Sequence, residues 1–293
     1  PEIAAREHQE NISYVVEKAL GDSELESNAI SAVATSCGPG LIGGLIVGSS
    51  FGKSYAIASK IPFIPINHLE AHILSPRLIQ KVEFPYLALL VSGGHTQLLY
   101  VKDVNKIIRV GTTLDDAVGE TFDKVAKLLG MEYPGGPMIE KIAKKGNTNS
   151  FKLPHPLEFE KNLNFSFSGI KTAVSLIVKK QKKINLKTKY DISASFQNKI
   201  IEILKKRTVL SLEKLKKNKY KIKDITIVGG VAANNKIKET FNVLCRENKC
   251  RLSLPLIELC GDNAAMIAWA CLQRYKIGVK PNLFFNADPR LKI

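Results

Sequence analysis

Tyr86-Leu87-Ala88-Leu89-Leu90-Val91-Ser92-Gly93-Gly94-His95-Thr96 decides the architecture of this 293-residue chain. Six uncharged, mostly branched residues read as a strand buried on both faces. The Ser-Gly-Gly-His turn sends the chain back, hairpin fashion, into a second strand from Thr96 to Val101. The same motif, an apolar strand running into a glycine-rich turn, recurs on either side. Upstream, Ala32-Val33-Ala34 leads through Gly38-Pro39-Gly40-Leu41-Ile42-Gly43-Gly44 into a small-residue helix ending near Ala56, and Ile61 to Ile66 is a strand feeding another helix. Downstream, Lys106 to Val110 adds a strand, and helices are expected over 119–129, 137–144, 168–183 and 191–217. Then Ile225-Thr226-Ile227-Val228 ends in Gly229-Gly230, with a helix over 233–247, a strand at 251–254 and a closing helix from Asp262 to Ile277. Strands interleaved with helices mean an α/β fold. Repeats and low-complexity linkers are absent from the pattern.

Composition is that of a globular chain, 45% apolar and 24% charged, with no run near the ~18 apolar residues of a membrane span. No basic-then-apolar signal segment opens it, and a start at Pro1 reads as a fragment or a processed form. Five cysteines (Cys37, Cys245, Cys250, Cys260, Cys271) without a Cys-x-x-Cys read as buried thiols in a reducing compartment, cytosolic or organellar. The net charge of +16 is concentrated: residues 171–223 carry sixteen lysines and Arg207 against Asp191, Glu202 and Glu213, a local net of +14. Such a segment is the footprint of a polyanion, RNA or DNA, or else a set of solvated lysine-rich helix faces.

In Asn67-His68-Leu69-Glu70-Ala71-His72, His68 and His72 stand i and i+4. On a helix they point about 40° apart, so both imidazoles can reach one metal ion. The order is not that of a zinc protease, whose glutamate directly follows the first histidine. Glu70 comes two residues after His68 and faces about 180° from the pair, out of reach as a general base there. Three glycine-rich turns, 37–44, 91–95 and 228–234, offer free backbone N–H groups to phosphate or carboxylate, although a tight turn needs glycine for steric reasons alone. Further carboxylates come from Asp115, Asp116, Glu120, Asp123 and Asp262, the last placed to begin or cap a helix.

Pro1-Glu2-Ile3-Ala4-Ala5-Arg6-Glu7-His8, Gly38-Pro39-Gly40-Leu41, the histidine hexapeptide, Val91 to Thr96, Phe122-Asp123-Lys124, Tyr133-Pro134-Gly135-Gly136, Phe165-Ser166-Phe167-Ser168-Gly169-Ile170-Lys171, Gly229 to Asn234 and Gly261-Asp262-Asn263-Ala264 occur in one order along essentially the whole chain. Together they resemble the tRNA N6-adenosine threonylcarbamoyltransferase family, TsaD (formerly Gcp), in its bacterial or mitochondrial branch. The resemblance implies a two-lobed actin/Hsp70-like ATPase (ASKHA) fold with a ligand cleft. It also implies an acyltransferase that moves threonylcarbamoyl from threonylcarbamoyl-adenylate to the N6 amine of the adenosine 3′ of the tRNA anticodon, releasing AMP. By the same resemblance, His68, His72 and Asp262 hold one divalent metal, iron first and zinc second. Val91, Ser92, Gly93, Gly94, His95, Asp123, Gly136 and Asn234 match adenylate-binding positions, with Glu140 where the family often has Asp. No general base is assigned. Accessory TsaB and TsaE are implied for a bacterial protein and a homodimer for a mitochondrial one, with no membrane partner.

The expected lobes are 1–129 with 271–293, carrying the histidine pair, and 130–270, carrying the basic helices and the Gly-Gly-Val-Ala-Ala-Asn loop. The family normally begins about 40 residues earlier with a strand–turn–strand bearing Ile-Glu-(Thr/Ser)-Ser-Cys-Asp. Residues 1–293 lack it, so the first lobe is expected to be short of its N-terminal β-hairpin, leaving strand edges near Val33 and Tyr86–Val101 uncovered. Asp288-Pro289-Arg290 stands where the family often has Ala-Arg-Pro-Arg. Two other readings remain: an ATP-dependent phosphotransferase or ATPase of the same superfold, which would use carboxylates and Mg²⁺ rather than a histidine pair, and an inactive partner-binding paralogue, which would have lost that pair.

Overall fold

A computed structural model describes residues 2–181 and 184–293. It divides into two compact units, one of residues 1–78 with 263–293 and one of residues 79–262. The expected division at 129/130 and 270/271 therefore differs from the observed one. The reason is strand pairing: β3 (Tyr86–Val91), assigned from sequence to the first lobe, pairs in parallel with β6 (Asp224–Val228), Leu87 opposite Ile225 and Leu90 opposite Val228. That non-local ladder carries the whole 86–112 hairpin system into the second unit.

In the first unit β1 (Val33–Gly38) and β2 (Phe63–Asn67) form a two-stranded parallel sheet, joined through α2 (Ile42–Ser59). The helix lies close on β1, because a Cβ at Gly52 would stand 2.4 Å from Thr35 Cγ2. Phe63, Cys37 and Ala56 form a small fully buried cluster beneath it. Before β1 runs a 21-residue helix, α1 (Glu2–Asp22), packed on α2 with none of its residues fully buried. The unit is completed by α3 (His68–Leu74), directly after β2, and by the chain's last helix (Ala264–Lys276), which packs on α3.

The second unit is built on a five-stranded sheet of order β5-β4-β3-β6-β7, with β4 (Thr96–Asp103), β5 (Lys106–Thr112) and β7 (Arg251–Ser253). β3, β4 and β5 are antiparallel, whereas β3–β6 and β6–β7 are parallel. All six residues of β3 are buried, as an uninterrupted apolar run requires of a central strand. Both edges of β3 and of β4 are occupied, so neither offers the free edge expected there. Helices α4 (Val118–Leu128), α5 (Gly135–Ala143), α6 (Ser168–Lys180), α7 (Leu186–Lys217) and α8 (Asn235–Glu247) accompany the sheet, which makes the chain's last helix, Ala264–Lys276 of the first unit, α9. Phe122, Phe165, Phe167, Phe196 and Phe241 fill the core between sheet and helices.

Four of the five thiols are buried, but Cys250 is only half-buried, donating to the Ile222 carbonyl at 3.3 Å; no disulfide forms. No helix of the described residues is long and apolar enough to cross a membrane.

Candidate active site

The histidine helix is held at both ends. Asn67 caps its N-terminus, its Oδ1 accepting from Leu69 N (2.9 Å) and Glu70 N (3.3 Å), a cap of about 1 kcal/mol. Toward its C-terminal end, Trp269 of α9 donates from Nε1 to the Leu74 carbonyl at 3.0 Å, and Ser75 Oγ donates to the His72 carbonyl at 2.8 Å. His68 and His72 then stand edge to face, ring centroids 4.8 Å apart, with His72 only 2% exposed. Asp262 comes two residues before α9. The capping role open to it is taken by Asn263, whose side chain accepts from Met266 N at 2.8 Å. Ligand atoms of His68, His72 and Asp262 lie within 4.8 Å of one another, a candidate divalent-metal cluster. Two imidazoles and one carboxylate are a donor set suited to iron(II) or zinc, so these residues fit such an ion. Glu70 is turned to Arg274 of α9 (3.2 Å), and burial raises its pKa against the opposing charge of that arginine.

A second feature lies wholly inside the second unit. A cavity of about 280 Å³ is lined by residues from four segments, Gly93 and Gly119, Asp123 to Glu140, and Gly230 to Asn234. Tight packing brings these loops together. At Gly229 φ is +93°, and a Cβ would meet the Val91 carbonyl oxygen at 2.6 Å; at Gly119 it would meet the Ser92 oxygen at 2.6 Å. The 92–95 turn closes on itself, Ser92 N donating to the His95 carbonyl (2.9 Å) and His95 N to Ser92 Oγ (3.1 Å). Gly93, Gly136 and Gly230 are different. All three line the cavity, none has the positive φ that favours glycine, and a Cβ on any of them would meet nothing within 4 Å. The protein's own packing does not require glycine at these points; what it keeps open is space.

Of the eight positions expected at an adenylate site, Gly93, Asp123, Gly136 and Asn234 line this cavity. Ser92, Gly94 and His95 belong to the adjoining turn, and the Val91 side chain is fully buried in the core. Asp123 Oδ1 accepts from Gly135 N at 2.8 Å and so fixes the start of α5. The Asn234 side chain is already committed, capping α8 through Ile237 N (3.1 Å) and donating to Gln197 Oε1 (2.9 Å). Glu140, also on the wall, accepts from Asn235 N (2.9 Å) and Nδ2 (3.0 Å). Tyr133, 84% exposed at the rim, carried no site signal in the sequence beyond its place before Pro-Gly-Gly.

The basic segment is not one free patch. Arg207 is fully buried and donates to the carbonyls of Leu157, Glu160 and Asn162, holding a loop. Lys171 pairs with Asp116 (2.8 Å), Lys187 with Asp191 (2.7 Å) and Lys223 with Glu83 (3.3 Å). Exposed lysines remain at the end of α6 (Lys179, Lys180) and from the end of α7 onward (Lys214, Lys216, Lys217, Lys219, Lys221). Lys182 and Lys183 lie outside the described residues.

A family model, "tRNA N6-adenosine threonylcarbamoyltransferase", matches residues 1–269. The protein of that name from Pelagibacter ubique is 48% identical over 291 residues, covering 99% of this chain and 81% of its own length. The one from Wolbachia pipientis is 45% identical over 293 residues, covering 100% of this chain and 86% of its own. Among solved structures, full-length HypF in its phosphate- and nucleotide-bound form superposes with a TM-score of 0.65 at 13% identity, over 92% of this chain and 42% of that one; this is a likeness of fold. The α/β fold is thus of the actin/Hsp70-like type, and by the family model and its close relatives the chain belongs to the tRNA N6-adenosine threonylcarbamoyltransferase family.

Proposed function

We propose that this chain transfers the threonylcarbamoyl group from threonylcarbamoyl-adenylate to the N6 amine of the adenosine 3′ of the tRNA anticodon, releasing AMP. The family match along residues 1–269 carries the reading. The chemistry asks little of covalent catalysis, because the mixed carbamic–phosphoric anhydride is already activated and AMP leaves readily. The protein's task is to hold, orient and neutralise. The adenylate occupies the cavity kept open by Gly93, Gly136 and Gly230, with Tyr133 covering its purine. Asp123 and Glu140 meet the ribose, and the backbone amides of Gly93 and Gly94 meet the phosphate or carbamoyl oxygens. Val91 and Asn234 serve through the backbone, their side chains being used in packing and capping.

His68, His72 and Asp262 hold one divalent ion, iron ahead of zinc by the family resemblance, the donor set itself suiting both. Bound there, it supplies Lewis-acid stabilisation of the charge that develops on donor oxygens. No side chain is assigned as general base.

The exposed lysines closing α6 and α7 take tRNA phosphates, positioning the RNA without reading bases. Exposed Ile42 and Ile46 on α2 and Tyr14 and Val15 on α1 support a protein partner, TsaB with TsaE in a bacterial setting or a second copy in a mitochondrial one. Cytosol or mitochondrial matrix suits five free thiols. In the first unit a groove of about 540 Å³ runs along β1 and α9, lined by Ala32, Ala34, Ile267 and Leu272 among others. It supports a β-hairpin pairing with β1, as in the family's usual N-terminal segment. Incubation with threonylcarbamoyl-adenylate and unmodified tRNA, followed by nucleoside mass spectrometry, tests the transfer. An unmodified adenosine in the presence of metal and accessory proteins would refute it.

A further inference from the structure

The residues after α9 run back across the first unit, and their backbone is tied to several of its parts. Asn282 N donates to the Phe63 carbonyl at the start of β2 (3.0 Å), and Asp288 N to the Cys37 carbonyl near the end of β1 (2.9 Å). The Pro289 carbonyl accepts from Gly40 N (3.3 Å), and Lys53 Nζ donates to the Phe285 carbonyl (2.7 Å). At Gly38, where φ is +146°, a Cβ would stand 2.0 Å from the Asp288 oxygen and 2.8 Å from Leu291 Cβ. The tail thus passes through the space a side chain would occupy.

The last tie reaches the metal helix. Asn67 Nδ2 donates to the Lys292 carbonyl at 3.2 Å, while Oδ1 of the same amide caps the first turn of α3. Asn67 is 5% exposed and directly precedes His68. A carboxylate could make the cap but not the bond to Lys292; alanine could make neither. One side-chain amide therefore joins the tail to the residue that sets where His68 leaves the sheet.

We propose that residues 282–292 form a strap that sets the metal geometry, with Asn67 as the positioning residue that transmits its hold to His68 and His72. The proposal rests on reading the His68–His72–Asp262 cluster as a metal centre. Outer partners that orient metal ligands typically contribute 10- to 100-fold in affinity, and ligand distances tolerate only about 0.2 Å. A shift in the entry of a seven-residue helix moves both imidazoles together.

The test is Zn²⁺ affinity of the whole chain, measured by competition with a chromophoric chelator well below the melting temperature, with far-UV circular dichroism to confirm folding. Asn67→Asp keeps the cap acceptor and loses the donor to Lys292. Gly38→Ala disturbs the strap at Asp288 and keeps the Asn67 side chain itself, although Gly38 also faces Asn67 in the β1–β2 ladder. Each is expected to weaken Zn²⁺ binding by about tenfold, and the double variant by little more than either, because both act through one connection. The extra negative charge in Asn67→Asp would by itself strengthen cation binding, so a loss there is a stringent result. Unchanged Zn²⁺ affinity in a folded Asn67→Asp variant overturns the strap while leaving the metal centre standing. Equal Zn²⁺ binding by the unaltered chain and its His68→Ala/His72→Ala variant overturns the metal centre and the strap with it.

Discussion

Glu70 Oε2 lies 3.2 Å from Arg274 Nη1, and this pairing is what the glutamate between the two histidines does. In a zinc protease the glutamate of a superficially similar motif must face the metal-bound water. Here it lies two residues after His68 and joins α3 to α9. Glu70→Gln should therefore leave Zn²⁺ affinity within about twofold. A tenfold fall in metal affinity would show that the carboxylate belongs to the metal centre after all.

The metal itself is the next test. The His68→Ala/His72→Ala double variant removes two of the three ligands, and elemental analysis should find its stoichiometric iron or zinc gone while the fold remains. Asp262→Asn should keep part of the metal, because two imidazoles still converge. Equal occupancy in all three proteins would return the histidine pair to ordinary polar residues on a helix.

How much of this was legible before the structure follows from which forces are local. The glycine-rich turns at 91–95, between two strands, and at 228–234, between strand and helix, announce themselves because the strand's apolar run and the turn's glycines are adjacent in sequence. The i,i+4 histidines were equally plain. Helix α1 was not: none of its residues is fully buried, so no apolar stripe marks a core-facing side. The unit boundary was missed because it depends on β3 pairing with β6, some 135 residues later, which no local pattern encodes. Arg207 counted as a surface charge until three carbonyls proved to surround it. The distinction between structural glycines (Gly119, Gly229) and cavity glycines (Gly93, Gly136, Gly230) is likewise a matter of tertiary neighbours.

Asp115 gives a pH-dependent prediction. Partial burial alone would raise its pKa, but hydrogen bonds from Phe167 N, Ser166 Oγ, Ser168 Oγ and Ser168 N outweigh it and leave the pKa lowered. A carboxyl depressed in the folded state stabilises fully above its unfolded value, near 3.9, and that contribution is lost as pH falls through the folded value. Asp115→Asn should lower the melting temperature at pH 7 by the equivalent of about 1 kcal/mol, a helix-cap magnitude kept small by solvent. The difference from the unaltered protein should shrink as pH falls below the unfolded value and vanish once the carboxyl is protonated in the folded state too. A difference independent of pH would mean that the side chain acts by shape and not by charge.

The lysines separate a polyanion surface from ordinary solvated helix ends. Reversing Lys179, Lys180, Lys216 and Lys217 to Glu should weaken tRNA binding and reduce the log–log salt slope by about 0.7–0.9 for each phosphate no longer neutralised. Binding of AMP should stay the same, since none of the four lines the cavity. The paired or buried cations make the control: Lys187→Gln should change tRNA affinity little, because Asp191 already holds that ammonium. If the fourfold reversal leaves tRNA affinity and its salt slope intact, these lysines are solvated ends that complement the helix dipole.

The sharpest contrast lies between two glycines on the same cavity wall. Gly119 is glycine because the chain packs there: a Cβ would press on backbone atoms, 2.6 Å from the Ser92 oxygen and 2.9 Å from Gly93 Cα. Gly119→Ala should therefore cost about 1–3 kcal/mol of stability through overpacking, and any loss of ligand binding would follow from that. Gly136 has no such neighbour, and it sits in the first turn of α5, where alanine is the better helix former by about 0.5–1 kcal/mol. Gly136→Ala should raise the melting temperature. At the same time its methyl enters the cavity, and AMP affinity should fall about tenfold by isothermal titration. Stability and binding thus move in opposite directions at Gly136 and in the same direction at Gly119. A Gly136→Ala variant that gains stability and binds AMP unchanged would place the adenylate somewhere other than this cavity.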